Sequence, residues 1–172
     1  MYCNIGGPGC SGMLGAFTEM GSWRPVESGR LVYNPYTWSK LANMVYIEQP
    51  IGVGFSYDSE RHTDASIDSN GEIQFGDYFA IKDMVQAMQL FFDIFPERLT
   101  NTLYIASESY GGHYIPELTL ALLHLPPEKD RHEVGRRFNG YLLGNPYTSF
   151  ASSSISMANL AWGVQLLPRP LW

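Results

Sequence analysis

Charge is scarce in this sequence. Asp, Glu, Lys and Arg make up only 16% of 172 residues, and 11 basic residues face 17 acidic ones, for a formal net charge of −6. A chain with that balance has no Lys/Arg stripe to neutralise phosphates, which argues against nucleic acid as a partner. Its densest basic stretch, Lys129–Arg137, is broken by Asp130 and Glu133 and reads as a solvated loop. Cysteine is almost missing as well, with only Cys3 and Cys10. The four His are scattered, and neither CxxC nor HExxH spacing occurs, so no metal or other cofactor is expected. No run of 18 apolar residues exists to cross a membrane, and Met1–Asn4 lacks the basic and apolar regions of a signal peptide.

What is present is a globular composition: 45% apolar residues, and 14% aromatic with 11 Tyr, giving ring surface to bury or to line a cleft. The length suits one domain. Gly6–Gly12 reads as a glycine-rich loop after a strand. Met44–Glu48 reads as a strand stopped by Pro50, and residues 52–57 as a turn-rich loop, followed by a polar, irregular stretch over 58–74. Apolar residues at helical spacing predict a helix over Phe75–Phe95, ended by Pro96. Thr102–Ala106 reads as a strand, Tyr110–Leu123 as a helix perturbed by Pro116, and Gly140–Gly144 as another strand. The patch Ala151–Ser156 reads as a loop. Strand, helix, strand, helix, strand predicts an α/β fold with a mostly parallel sheet and helices on both faces.

Ser109 falls where a strand meets a helix, with Ser107 and Gly111 two residues to either side. That is the G-x-S-x-G nucleophile elbow with a serine in place of its first glycine. A serine that only caps a helix would pair with Glu or Gln three residues on, and position 112 is Gly. Acyl transfer also needs donors for a developing oxyanion. The N–H of Tyr110 supplies one, and Gly7 in the upstream loop the other, with Gly6 beside it allowing close approach to a substrate.

Together these segments resemble the serine carboxypeptidase family of α/β-hydrolases. Gly6–Ser11 is similar to its oxyanion loop and Glu108–Pro116 to its nucleophile segment; Asn34–Ser39, Glu48–Tyr57 and Gly144–Pro146 match further family segments in family order. The resemblance implies a serine-type carboxypeptidase that releases C-terminal amino acids from peptide or protein substrates. It also implies that Glu19 and Glu108 face each other, share a proton and bind the substrate's C-terminal carboxylate, with an acidic working range. The family's Asn before the Gly-Gly pair is here Ile5, with Asn4 one place earlier, which opens the alternative of an acyltransferase of the same family. Cys10 matches a family cysteine bridged to a distant partner, which implies a partner outside this sequence rather than Cys3, and a vacuolar, lysosomal or secreted setting.

In this fold an Asp and then a His follow the serine. After Ser109 come Asp130 and, as His, only His113, His124 and His132, none in the expected context. The expectation is therefore an incomplete domain over 1–172, lacking N-terminal strands and the C-terminal part, inactive alone or acting only by binding.

Overall fold

The computed structural model describes residues 2–57 and 76–168; the expected irregular stretch over 58–74 lies outside them. Four parallel strands form the main sheet: β1 (Tyr2–Ile5), β4 (Val45–Tyr46), β5 (Leu103–Glu108) and β6 (Phe138–Gly144), in the order β4-β1-β5-β6. Between β1 and β4 the chain forms an antiparallel hairpin of β2 (Trp23–Pro25) and β3 (Leu31–Tyr33). Four helices follow: α1 (Asp77–Ile94), α2 (Gly111–Leu123), the short α3 (Val134–Arg137) and α4 (Phe150–Gly163). None of the helices described is long and apolar enough to cross a membrane.

Local sequence accounts for these elements. Helix α1 carries Ala80, Ile81, Met84, Met88 and Phe92 on one stripe, the 3.6-residue period of a half-buried helix. Asp77 suits the positive end of its dipole, and Pro96 begins a 3₁₀ turn where the helix stops. Helix α2 contributes Tyr114, Ile115, Leu118 and Leu122, and runs through Pro116 unbroken. Strand β5 is interior, with Leu103, Ile105, Ala106 and Ser107 buried. The helix side chains, Leu103 and Ile105 of β5, and Val134 form a single core between α1, α2 and the sheet.

Two expectations need correcting. Among the described residues, α1 and α2 cover the same face of the sheet rather than both faces, since they share one core and pack on each other. The strand order explains this. The β4-to-β5 and β5-to-β6 steps run in one direction across the sheet, and right-handed crossovers in one direction place their helices on one side. On the other side Tyr104 and Leu142 are exposed. The second correction is Ala151–Ser156, which lies within α4 and not in a loop. Ser149 caps that helix, its Oγ accepting from the Ser152 N–H at 3.4 Å, and a single cap offsets the weak helix propensity of the serines that follow. The β2–β3 hairpin was not anticipated. Its signals were the aromatic and β-branched runs on either side of Gly29, whose φ of +73° makes the turn. Trp23 and Tyr33 then pair edge-on across it at 5.9 Å.

A one-sided core makes a direct prediction. Replacing fully buried Ile105 by Ala should cost about 2–5 kcal/mol, whereas Leu142→Ala on the open face should cost under about 1 kcal/mol. Urea denaturation of both variants checks it; equal losses would contradict the one-faced core.

Candidate active site

The sheet order fixes where a site can form. From β1 the chain moves one way, to β4; from β5 it moves the other way, to β6. The carboxyl ends of β1 and β5 therefore flank a switch point, the crevice in which open α/β sheets hold ligands. Register puts Ile5 beside Glu108 and Asn4 beside Ser107, so the loop leaving β1 and the turn leaving β5 start side by side.

Ser109 occupies that turn with φ of +53°, a left-handed conformation unusual for a residue with a Cβ. Strain of this kind costs roughly 1–3 kcal/mol and persists only where neighbours over-determine it. Here the Ser109 N–H donates to the Gly144 carbonyl at 3.1 Å, and the Ser109 carbonyl accepts from the N–H of Tyr147 at 2.6 Å and of Gly112 at 3.1 Å. The serine side is exposed, and among the described residues its hydroxyl has no hydrogen-bond partner. The serine standing for the first elbow glycine is accommodated too. Ser107 is buried, and a Cβ on Gly111 would come within 2.1 Å of its Oγ, so Gly111 gives up the space that Ser107 takes.

Gly6 closes against this turn. A methyl on Gly6 would lie 2.3 Å from the Tyr110 nitrogen and 2.6 Å from the Glu108 oxygen, so only glycine allows the two backbones this approach. Gly7 follows with φ of +133° and Gly9 with +81°, carrying an exposed loop that ends at Cys10, a free thiol.

Tyr110 is anchored by its own side chain. Its hydroxyl donates to Asp77 at 2.9 Å, and its ring stacks on His113 at 4.7 Å and lies parallel to Tyr147 at 6.4 Å. Burial, and then the Asp77 carboxylate, push the phenol above its ordinary range. Of these partners, Asp77 and Tyr147 carry no motif of their own in the sequence, and no local signal marks them.

Glu19 ends a five-residue π-helical turn, Gly15–Glu19. Such turns are rare and recur at functional sites. Buried Asn34 donates through Nδ2 to the carbonyls of Glu19 and Gly21, both at 2.9 Å; Arg24 donates to the Glu19 carbonyl at 3.1 Å, and Thr37 to that of Met20 at 3.0 Å. The hairpin thus holds the Glu19 turn in place. The Glu19 carboxyl has one buried oxygen without a partner, and its pKa is raised, first by burial and then by the negative charge of Glu108. Glu108, whose charge reaches Glu19, ends β5 immediately before Ser109.

Asp130 and two of the histidines stand elsewhere. Asp130 caps α3, accepting from Val134 at 2.6 Å and Gly135 at 3.1 Å; His132 pairs with Asp93 at 2.6 Å, and His124 bonds the Leu120 carbonyl at 2.9 Å. His124 caps the C-terminal end of α2, about 20 Å from its start at 1.5 Å per residue. His113 is near Ser109 in sequence, but its ring stacks on Tyr110, with Tyr147 tilted beside it at 5.6 Å, and its Nε2 is buried without a partner among the described residues. No cluster of His, Cys, Asp and Glu suited to a metal ion occurs among the described residues.

Comparison with known proteins gives a consistent result. The profile of the family described as "Serine carboxypeptidase" matches residues 5–172. Serine carboxypeptidase-like 46 of Arabidopsis thaliana is 36% identical over 170 residues, covering 97% of this chain and 33% of that protein. The lysosomal protective protein of Mus musculus is 36% identical, covering 97% and 32%. Among solved structures, KEX1(delta)p, a prohormone-processing carboxypeptidase from Saccharomyces cerevisiae, superposes with a TM-score of 0.82 at 31% identity, over 98% of this chain and 34% of that one. The chain spans about a third of the length of these relatives. With the elbow, the glycine loop and the order of the segments all in agreement, the chain belongs to the serine carboxypeptidase family.

Proposed function

We propose that this chain is part of a longer catalytic domain, a serine-type carboxypeptidase that releases C-terminal amino acids from peptides through an acyl-enzyme on Ser109. The observation that carries this reading is the strained Ser109 turn packed against Gly6, beside the Glu19/Glu108 pair. In the proposed reaction the Ser109 oxygen adds to the scissile carbonyl carbon as a base takes its proton. The N–H groups of Gly7 and Tyr110 receive the oxyanion. The proton passes to the leaving amine, and water then cleaves the ester and frees Ser109. Among the described residues no His hydrogen-bonds Ser109, so the base and its acid partner are taken to come from the part of the relatives' length that this chain does not span.

Glu19 and Glu108 are the proposed grip on the substrate's C-terminus, with Gly6 lining the same cradle. A carboxyl that keeps its proton donates to an incoming carboxylate; two ionised ones repel it. An acidic working range follows, in keeping with a vacuolar, lysosomal or secreted setting for the whole protein. Ile5 beside Glu108 in register supports a second reading, acyl transfer from an ester to an alcohol; hydrolysis with no transfer to any added alcohol would count against it.

Two outcomes are expected for the protein made from its complete coding sequence. Release of the terminal residue from blocked dipeptides at acidic pH should fall about 10⁴-fold or more in Ser109→Ala, with unchanged circular dichroism. Absence of release, or release indifferent to that change, would refute the assignment. The pH profile should carry the second signature. The Glu19 pKa lies above the ordinary value of 4.5, so Glu19 is protonated below it and ionises as pH rises through it. KM for peptides with a free C-terminus should then rise with pH across that window. KM for C-terminally amidated peptides should stay flat, and Glu19→Gln should remove the rise. A wild-type rise equal for both peptide forms would refute the role of the pair.

A further inference from the structure

We propose that Glu48 is a positioning residue that holds the glycine loop, and with it the donor at Gly7, in register with Ser109; this deepens the hydrolase reading given above. The loop needs such a restraint. Gly6, Gly7, Gly9 and Gly12 leave its backbone with few side chains to limit it, and glycine surrenders more freedom on ordering than any other residue. Beyond β1, the Glu48 carboxylate ties it down. Ser11 Oγ donates to Oε1 of Glu48, while the Phe55 N–H donates to Oε2 at 2.7 Å. Each carboxylate oxygen thus takes one donor, and the two donors come from different loops. Ser11 Oγ in turn accepts from the Met13 N–H at 3.2 Å, and Ser56 Oγ donates to the Glu48 carbonyl. A Cβ on Gly54 would strike the carboxylate, so loop 52–57 wraps it closely.

The arrangement follows from the sheet. Glu48 lies just beyond β4, and β4 pairs with β1, whose carboxyl end feeds the glycine loop. A carboxylate suits the task because its hydrogen bonds are charge-assisted, about twice as strong as neutral ones. Those two bonds hold the Glu48 pKa below the ordinary carboxylate value, the reverse of Glu19, so the tie keeps its charge to lower pH than an ordinary carboxylate would.

The test compares Ser11→Ala, Glu48→Ala, the double variant and Glu48→Gln in the protein from its complete coding sequence. Amide hydrogen exchange over residues 6–12 should accelerate about tenfold or more in either alanine variant and no further in the double one, with α2 amides unchanged. This readout is independent of peptidase activity. In peptide hydrolysis, kcat should fall about 10- to 100-fold with KM within about twofold, because the donor is misplaced while the grip on the carboxylate is intact. Glu48→Gln, which can accept from Phe55 and donate to Ser11 Oγ, should keep most of the activity. Unchanged loop exchange, additive effects in the double variant, or a change in KM alone would overturn the proposal. Should Glu48→Ala not fold, Ser11→Ala decides by the same criteria. A wild type that hydrolyses no peptide would defeat the carboxypeptidase reading, and the exchange measurement would still decide the role of Glu48.

Discussion

The parallel pairing of β1 with β5 is the constraint on which the rest of this structure depends. It sets Ile5 against Glu108, and so starts the glycine loop and the Ser109 turn from adjacent strand ends. Because the chain leaves β1 and β5 in opposite directions across the sheet, the two connections diverge and leave a crevice at these strand ends. The strained serine is affordable only because this pairing is secure. The Ser109 backbone is held by Gly144 and Tyr147 on the β6 side, and Gly6 abuts it on the β1 side.

Around that crevice the same chemical group is used in opposite ways. Glu19 sits with a buried, unpartnered oxygen near the Glu108 charge, and its proton is harder to remove. Glu48 receives a hydroxyl and an amide, and its proton is easier to remove. Asp77 takes a third part, receiving the Tyr110 hydroxyl and steadying the residue whose N–H follows the serine. Nothing intrinsic to a carboxylate distinguishes these roles; desolvation and donor supply do. The hairpin enters the site by the same logic. It is largely exposed, yet its flanking Asn34 and Thr37 are buried and bind the carbonyls of the Glu19 turn.

Much of this was legible beforehand where the signal is local. The stripe along α1, the stop at Pro96, and the strand–serine–helix order around Ser109 are short-range patterns that a chain cannot satisfy in many ways. Two failures have equally specific causes. Ala151–Ser156 looked like a loop because serine favours turns, but the cap at Ser149 and the apolar residues beyond carried the segment into a helix. Helices on both faces was the general pattern for a parallel sheet. Which face each helix takes depends on strand order, and strand order is a long-range property.

By itself the sequence determined the identity of the elbow and the glycine loop, since only small residues fit so tight a turn and so close an approach, and these leave a recognisable string. It also determined the α/β class through the alternation of periods. Only the tertiary structure decided that one Glu19 oxygen is buried without a partner, that Glu48 ties Ser11 to Phe55, and that His132 hydrogen-bonds Asp93 rather than serving Ser109. The reason is physical. These relations join residues 37 or more positions apart in the case of Ser11 with Glu48 and His132 with Asp93. Spacing along a chain carries no record of such distances until strands pair and bring them together.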